Sequence, residues 1–283
     1  MRLYIFHRTQ YLYPGPVSQS YNELRLHPLS NDWQKCLSST LSVLPIVRPQ
    51  SYLDLNGNIV HYFELAEKHQ KLSIESRSVV ETISRVDFTN FPYGVNLTSL
   101  AEMEGLPECR DYLQTTSYVE INPEIWRLAV DLQGDCTDVF QTAYRVMEFV
   151  YQNFEYCKTT TTVDTHANEA LRMRRGVCQD FAHAAIALCR CLGIPARYVS
   201  GYFFDSTRDG KMRGSEASHA WMEVMVRGHG WFGLDPTNNR VVDDTYVIVG
   251  AGRDYRDVAP VTGSYYGPRP LDMEVTVRVR PAE

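Results

Sequence analysis

The sequence predicts an α+β protein, with an N-terminal β-sandwich followed by a cysteine-bearing helix packed on an antiparallel sheet. Short strand-like runs broken by turn residues recur through residues 1–88. Helical periodicity begins only at Asn122-Pro123. After a small-residue helix ending near Cys191, the chain returns to alternating strands.

In the first part, Leu3 and Ile5, Leu24 and Leu26, Leu41 and Val43, and the runs 59–65 and 72–80 read as strands. Asn56-Gly57 marks a hairpin turn between 53–55 and 59–63. His7, His27, His61 and His69 carry no partner pattern, so this domain reads as a docking or substrate-restricting unit. The expected division is residues 1–88, a connector at 89–120, and a catalytic unit at 121–283.

Asn122 followed by Pro123 is a cap-and-first-turn signal for a helix over 124–132. A second helix is expected over 137–154. There Val139, Phe140, Ala143, Val146, Met147, Val150 and Phe154 form one apolar stripe for core packing. The threonine-rich run 158–164 precedes a short helix at 168–174 and is expected along the rim of a cleft, with Thr162 lining it.

Arg174-Arg175-Gly176-Val177-Cys178-Gln179-Asp180-Phe181-Ala182 opens the next helix. Gly176 caps without steric cost, and the alanines that follow favour helix. Cys178 therefore falls in the first turn, where free N–H groups and the positive dipole end stabilise a thiolate. Gln179 is expected beside it in the cleft. Asp180 projects to the other side of the helix, and the same helix start offers N–H groups to an oxyanion. The inert alternative is a buried core thiol.

Residues 218–226 read as a strand carrying His219, Trp221 and Glu223 on one face. Residues 230–236 read as its neighbour, carrying Trp231, Gly233 and Asp235. Trp221 is expected to wall the cleft. For His219 and Asp235 to share a face, opposed positions must sum to an even number. That requires a three- or five-residue turn, or a bulge at a turn glycine; a regular four-residue loop would turn Asp235 away. If the three meet, Cys178 is a nucleophile, His219 its base and acid, and Asp235 the group that fixes the imidazole tautomer. His166 and His183 compete for the role of base. His183 lies about 140° from Cys178 around the helix at ordinary pitch.

The segments Gly176-Val177-Cys178-Gln179-Asp180-Phe181-Ala182, Gly193-Ile194-Pro195-Ala196-Arg197, His219-Ala220-Trp221-Met222-Glu223-Val224 and Leu234-Asp235-Pro236-Thr237 resemble the transglutaminase-like superfamily. More narrowly, they are similar to its bacterial two-domain members of the cysteine protease type. The resemblance implies a papain-like α+β core and a Cys-His-Asp triad at Cys178, His219 and Asp235. In the calcium-dependent cross-linking enzymes a tryptophan supplies an oxyanion element. Here the nearest upstream tryptophan is Trp126, Gln179 follows the nucleophile, and there is no acidic calcium loop. Amide hydrolysis is thus at least as well supported as cross-linking.

A net charge of −6 without a basic cluster argues against nucleic acid as a partner. Arg172, Arg174 and Arg175 answer a helix dipole. Seven cysteines in no regular framework fit a reducing compartment, and no apolar run reaches membrane-span length, so a cytoplasmic location is expected. The spacing of His and Cys suggests no metal, and no cofactor is expected. The expected partner is a protein or peptide substrate. The functional expectation is a cysteine-dependent amide hydrolase or acyl transferase working through a thioester. The alternative is a non-catalytic peptide- or protein-binding module with an enzyme-like cleft.

Overall fold

The computed structural model describes residues 1–84, 91–157, 165–205, 212–213 and 218–282. Thr162 and the rest of the expected rim at 158–164 lie outside the described residues. The strands in chain order are β1 (Arg2–Leu24), β2 (Gln34–Leu44), β3 (Gln50–Leu53), β4 (Ile59–Leu65), β5 (His69–Thr82), β6 (Glu155–Tyr156), β7 (Arg175–Gly176), β8 (Ala196–Phe203), β9 (His219–Val226), β10 (Gly230–Asp235), β11 (Arg240–Val241), β12 (Tyr246–Gly252), β13 (Val261–Tyr266) and β14 (Asp272–Pro281). The α-helices are α1 (Leu100–Met103), α2 (Pro107–Arg110), α3 (Pro123–Gln133), α4 (Val139–Asn153), α5 (Ala167–Met173), α6 (Cys178–Cys191) and α7 (Tyr255–Val258). The protein is a strand-rich α+β fold, with a helix-on-sheet core behind an N-terminal β domain.

The N-terminal sheet is built on β1, a single 23-residue strand where the sequence suggested several short ones. Its first half pairs with β5 and β14, and its second half with β4 and β13. The register slips between Leu12 and Val17, at Pro14-Gly15-Pro16. Proline cannot donate to a ladder and is tolerated where pairing is interrupted, so the strand bends there without losing its course. Tyr13, Val17, Leu24, Phe63, Leu72 and Ile74 pack together as the core of this part. Since β13 and β14 both return to β1, the expected boundaries do not follow the sheets: residues 261–281 belong with 1–82 rather than with the rest of 121–283.

The second sheet runs β11-β10-β9-β8-β12. Its face bearing Ala220, Met222, Val224, Val226 and Leu234 packs on α6, whose residues from Phe181 to Cys189 are fully buried. Alanines at 182, 184, 185 and 187 let helix and sheet approach closely. The stripe on α4 lies in the same core. Asn122 caps α3, its side chain accepting the Ile125 N–H at 2.9 Å. At the far end of α6 the buried Arg190 guanidinium donates to the carbonyls of Ala196, Gln114 and Arg253, at 2.6–3.1 Å. A cation in the last turn of a helix is favoured there.

The two sheets are held together through the edge strand β12. Leu3, Ile5 and Val80 pack against Tyr202, Val247 and Val249. Two buried side-chain amides, Gln34 and Asn58, stand in for a neighbouring strand. Gln34 donates to Ile248 O and accepts Ile248 N–H, both at 2.7 Å. Asn58 does the same for Ala251, both at 2.9 Å. Backbone groups left unpaired at a buried edge are costly, so this pairing fixes one part on the other.

Candidate active site

The glycine-bearing turn after β9 settles the parity question. Val226 pairs with Gly230 and Glu223 with Gly233, so the turn holds three residues, Arg227, Gly228 and His229. Gly228 and Gly230 have φ of 80° and 85°, conformations that side chains resist. Positions sum evenly, and Asp235 lands on the face of His219.

His219 Nε2 donates to Asp235 Oδ2 at 2.8 Å, with both side chains fully buried. A carboxylate can only accept, so the proton sits on Nε2 and Nδ1 keeps its lone pair when the ring is neutral. Nδ1 makes no hydrogen bond among the described residues, and the Cys178 thiol acts on the ring alongside Asp235. Burial works against a charged imidazole here. Asp235 outweighs it, and with the Cys178 interaction raises the His219 pKa.

Asp235 is held by more than His219. Its Oδ1 accepts Thr237 N–H at 2.9 Å and Asn238 N–H at 3.3 Å. Its Oδ2 accepts the Asn238 side-chain amide at 2.9 Å and the Tyr246 hydroxyl at 2.8 Å. Burial alone would raise this carboxyl; the charge of His219 and these hydrogen bonds hold it below the ordinary range.

Cys178 is the first residue of α6, with Val177 rather than Gly176 in the cap position. Asp180 accepts the Val177 N–H at 2.8 Å and pins this turn. A Cβ on Gly176 would stand 2.3 Å from Asp180 Oδ2, so glycine is required there by close approach. The two-stranded ladder β6–β7 sets Tyr156 opposite Gly176, and Cys157 N–H donates to Gly176 O at 2.8 Å. Tyr156 thereby lines the cleft beside Cys178, and burial raises its pKa to about 12, so its hydroxyl stays protonated.

The half-buried thiol opens into a cleft of about 380 Å³, which Gln179 and His219 also line. Its far side comes from β1 and β14. Trp221, expected to wall this cleft, is instead fully buried among Val199, Phe203 and Tyr246, as a floor beneath His219. A wider surface groove, about 670 Å³, contains Glu120 and His166 but none of the three central residues. His183 is no base: burial lowers its pKa to about 3, and its Nε2 accepts the Tyr255 N–H at 3.1 Å. No His, Cys, Asp and Glu grouping suited to a metal occurs among the described residues. Sequence reasoning missed Tyr156, Asn238 and Tyr246. Only Tyr156 left a trace, in the β-prone Phe154-Glu155-Tyr156 after α4.

The transglutaminase-like superfamily profile matches residues 127–236, and that of the bacterial transglutaminase-like N-terminal region matches residues 3–81. The chain belongs to the transglutaminase-like superfamily. It is 34% identical over 287 residues to uncharacterized protein ML0607 of Mycobacterium leprae, covering 98% of each chain. It is 36% identical over 279 residues to uncharacterized protein Rv2569c of Mycobacterium tuberculosis, covering 94% of this chain and 88% of the relative. Among solved structures, a candidate cysteine protease from Cytophaga hutchinsonii superposes with a TM-score of 0.78 at 24% identity, covering 100% of this chain and 92% of that one. That likeness carries the fold. No helix among the described residues is long and apolar enough to cross a membrane.

Proposed function

We propose that this protein is a cysteine-dependent amide hydrolase or acyl transferase acting on peptide or glutamine-type amides. The observation that carries the reading is the imidazole of His219, locked by Asp235 at Nε2 while Nδ1 is left to the Cys178 thiol at a helix start. With the proton already held at His219 Nδ1, the sulfur attacks the carbonyl carbon as a thiolate. Backbone N–H groups at the start of α6 and the Tyr156 hydroxyl are the donors for the oxyanion. His219 returns the proton to the departing nitrogen, the C–N bond breaks, and a thioester remains on Cys178. Water, or a primary amine, then attacks the thioester with His219 as base and regenerates the thiol.

The test is iodoacetamide labelling of each cysteine, followed by turnover of peptide amides with and without added primary amine. Cys178 is expected to label far faster than the other six, whereas burial raises the pKa of Cys36, Cys109, Cys189 and Cys191. Cys178→Ala should abolish turnover and leave the fold intact. Ordinary labelling at Cys178 would reject the mechanism. Amine incorporation would distinguish transfer from hydrolysis.

A further inference from the structure

The wall facing Cys178 comes from the two ends of the described chain. In the β1–β14 pairing, Thr9 stands opposite Val275 and Tyr11 opposite Met273, and all four line the cleft. His7, one step further along β1, lines it too. The sheet therefore presents one face to the site, and the segment after α7 adds Pro260 and Val261.

No Asp, Glu, Lys or Arg is found among the described residues lining the cleft. The titratable groups on the wall are also uncharged. Burial lowers the His7 pKa to about 4, and both ring nitrogens are engaged, Nδ1 with the Tyr202 hydroxyl at 2.8 Å and Nε2 with Thr9 Oγ1 at 3.0 Å. Burial and neighbouring tyrosines raise Tyr11 to about 12. Arg213, which is not part of the lining, holds its guanidinium over the rings of Tyr151 and Tyr156. A charged side chain brought against the wall loses hydration and meets no counter-ion among the described residues of that wall, whereas an apolar one gains by leaving water.

We infer that the β1–β14 face is a substrate subsite that takes an uncharged, apolar side chain flanking the reacting amide. Its occupant is part of the same substrate, because the face is continuous with the space above Cys178. The inference rests on the catalytic reading above and narrows it to a substrate class. Met273 is 56% exposed and Val275 38%, so this wall is open to an incoming peptide rather than sealed as core.

The experiment measures Cys178 alkylation by N-acetyl dipeptide chloromethyl ketones carrying Leu, Asp or Lys beside the ketone. Each rate is divided by that for iodoacetamide in the same variant. The leucine probe is expected to exceed both charged probes by about tenfold or more, within the range that a single side-chain contact supplies. Met273→Lys, at an exposed position, should shift the Asp-to-Leu ratio upward by about tenfold. A flat profile in the unaltered protein, a preference for a charged probe, or an unchanged ratio in folded Met273→Lys would each overturn the subsite. Those results, with fast iodoacetamide labelling retained, leave the catalytic reading standing. Loss of selective iodoacetamide labelling at Cys178 would remove both.

Discussion

Tyr246, at the start of the edge strand β12, donates its hydroxyl to Asp235 at the end of β10 across 2.8 Å of buried space. The strand that docks the N-terminal sheet therefore also holds the carboxylate that orients His219. Tyr246→Phe should cost about 1.5–3 kcal/mol in stability, the usual range for a hydrogen bond to a charged group. Urea denaturation would measure this. Turnover should fall less than in Asp235→Ala, since Thr237, Asn238 and His219 still hold the carboxylate.

His219 is expected to remain protonated well above the ordinary imidazole range, since its pKa is raised from 6.5 to about 10. A raised value contributes stability fully present below the unfolded value and lost as pH rises through the folded one. Asp235, with its pKa lowered, contributes stability present above its unfolded value and lost as pH falls through the folded one. The buried pair thus stabilises the protein across the neutral range and fails at both extremes. In Asp235→Asn only the Cys178 interaction still opposes burial, and the His219 titration should move well down from its native midpoint. NMR titration of the His219 ring reads this directly, and an unmoved midpoint would contradict the assignment.

Tyr156→Phe removes one hydroxyl and no ring packing. If that hydroxyl meets the oxyanion, kcat should fall by about 10²–10³ with little change in KM, as for loss of a single oxyanion donor. Cys178 alkylation by iodoacetamide should be far less affected, because that reaction forms no oxyanion.

Gly176→Ala should destabilise the protein by about 1–3 kcal/mol, the ordinary cost of overpacking. The added methyl would meet the Asp180 carboxylate. Shortening that side chain in Gly176→Ala/Asp180→Ala should recover part of the loss relative to Asp180→Ala alone, measurable as a double-mutant cycle.

Much of the site was legible because its signals are local. A small-residue helix start positions Cys178, and period-2 alternation positions His219 and Asp235. For the three residues to meet, the turn had to be odd in length or bulged, a choice the sequence left open, and the Val226–Gly230 pairing gives three residues. The N-terminal hairpin was legible too: β3 and β4 pair around Gly57, with φ of 78°. Less visible were the long-range pairings. An alternating strand such as 272–281 does not say which edge it will join, and here it joins β1. For the same reason the wall built by Thr9, Tyr11, Met273 and Val275 left no local trace. Trp221 shows the limit of alternation: it shares a strand face with His219, yet His219 reaches the cleft at the strand end while Trp221 lies deeper in the core.

The β1–β14 pairing also carries a consequence for biosynthesis. During vectorial translation, β1 leaves the ribosome long before β14, and its edge waits unsatisfied while the intervening chain is made. Closing so wide a separation is slow and comes late in folding. A nascent chain can thus assemble helix and imidazole before Met273 and Val275 complete the lining of the cleft. On the proposed reading, the last strand made is the one that would bring selectivity.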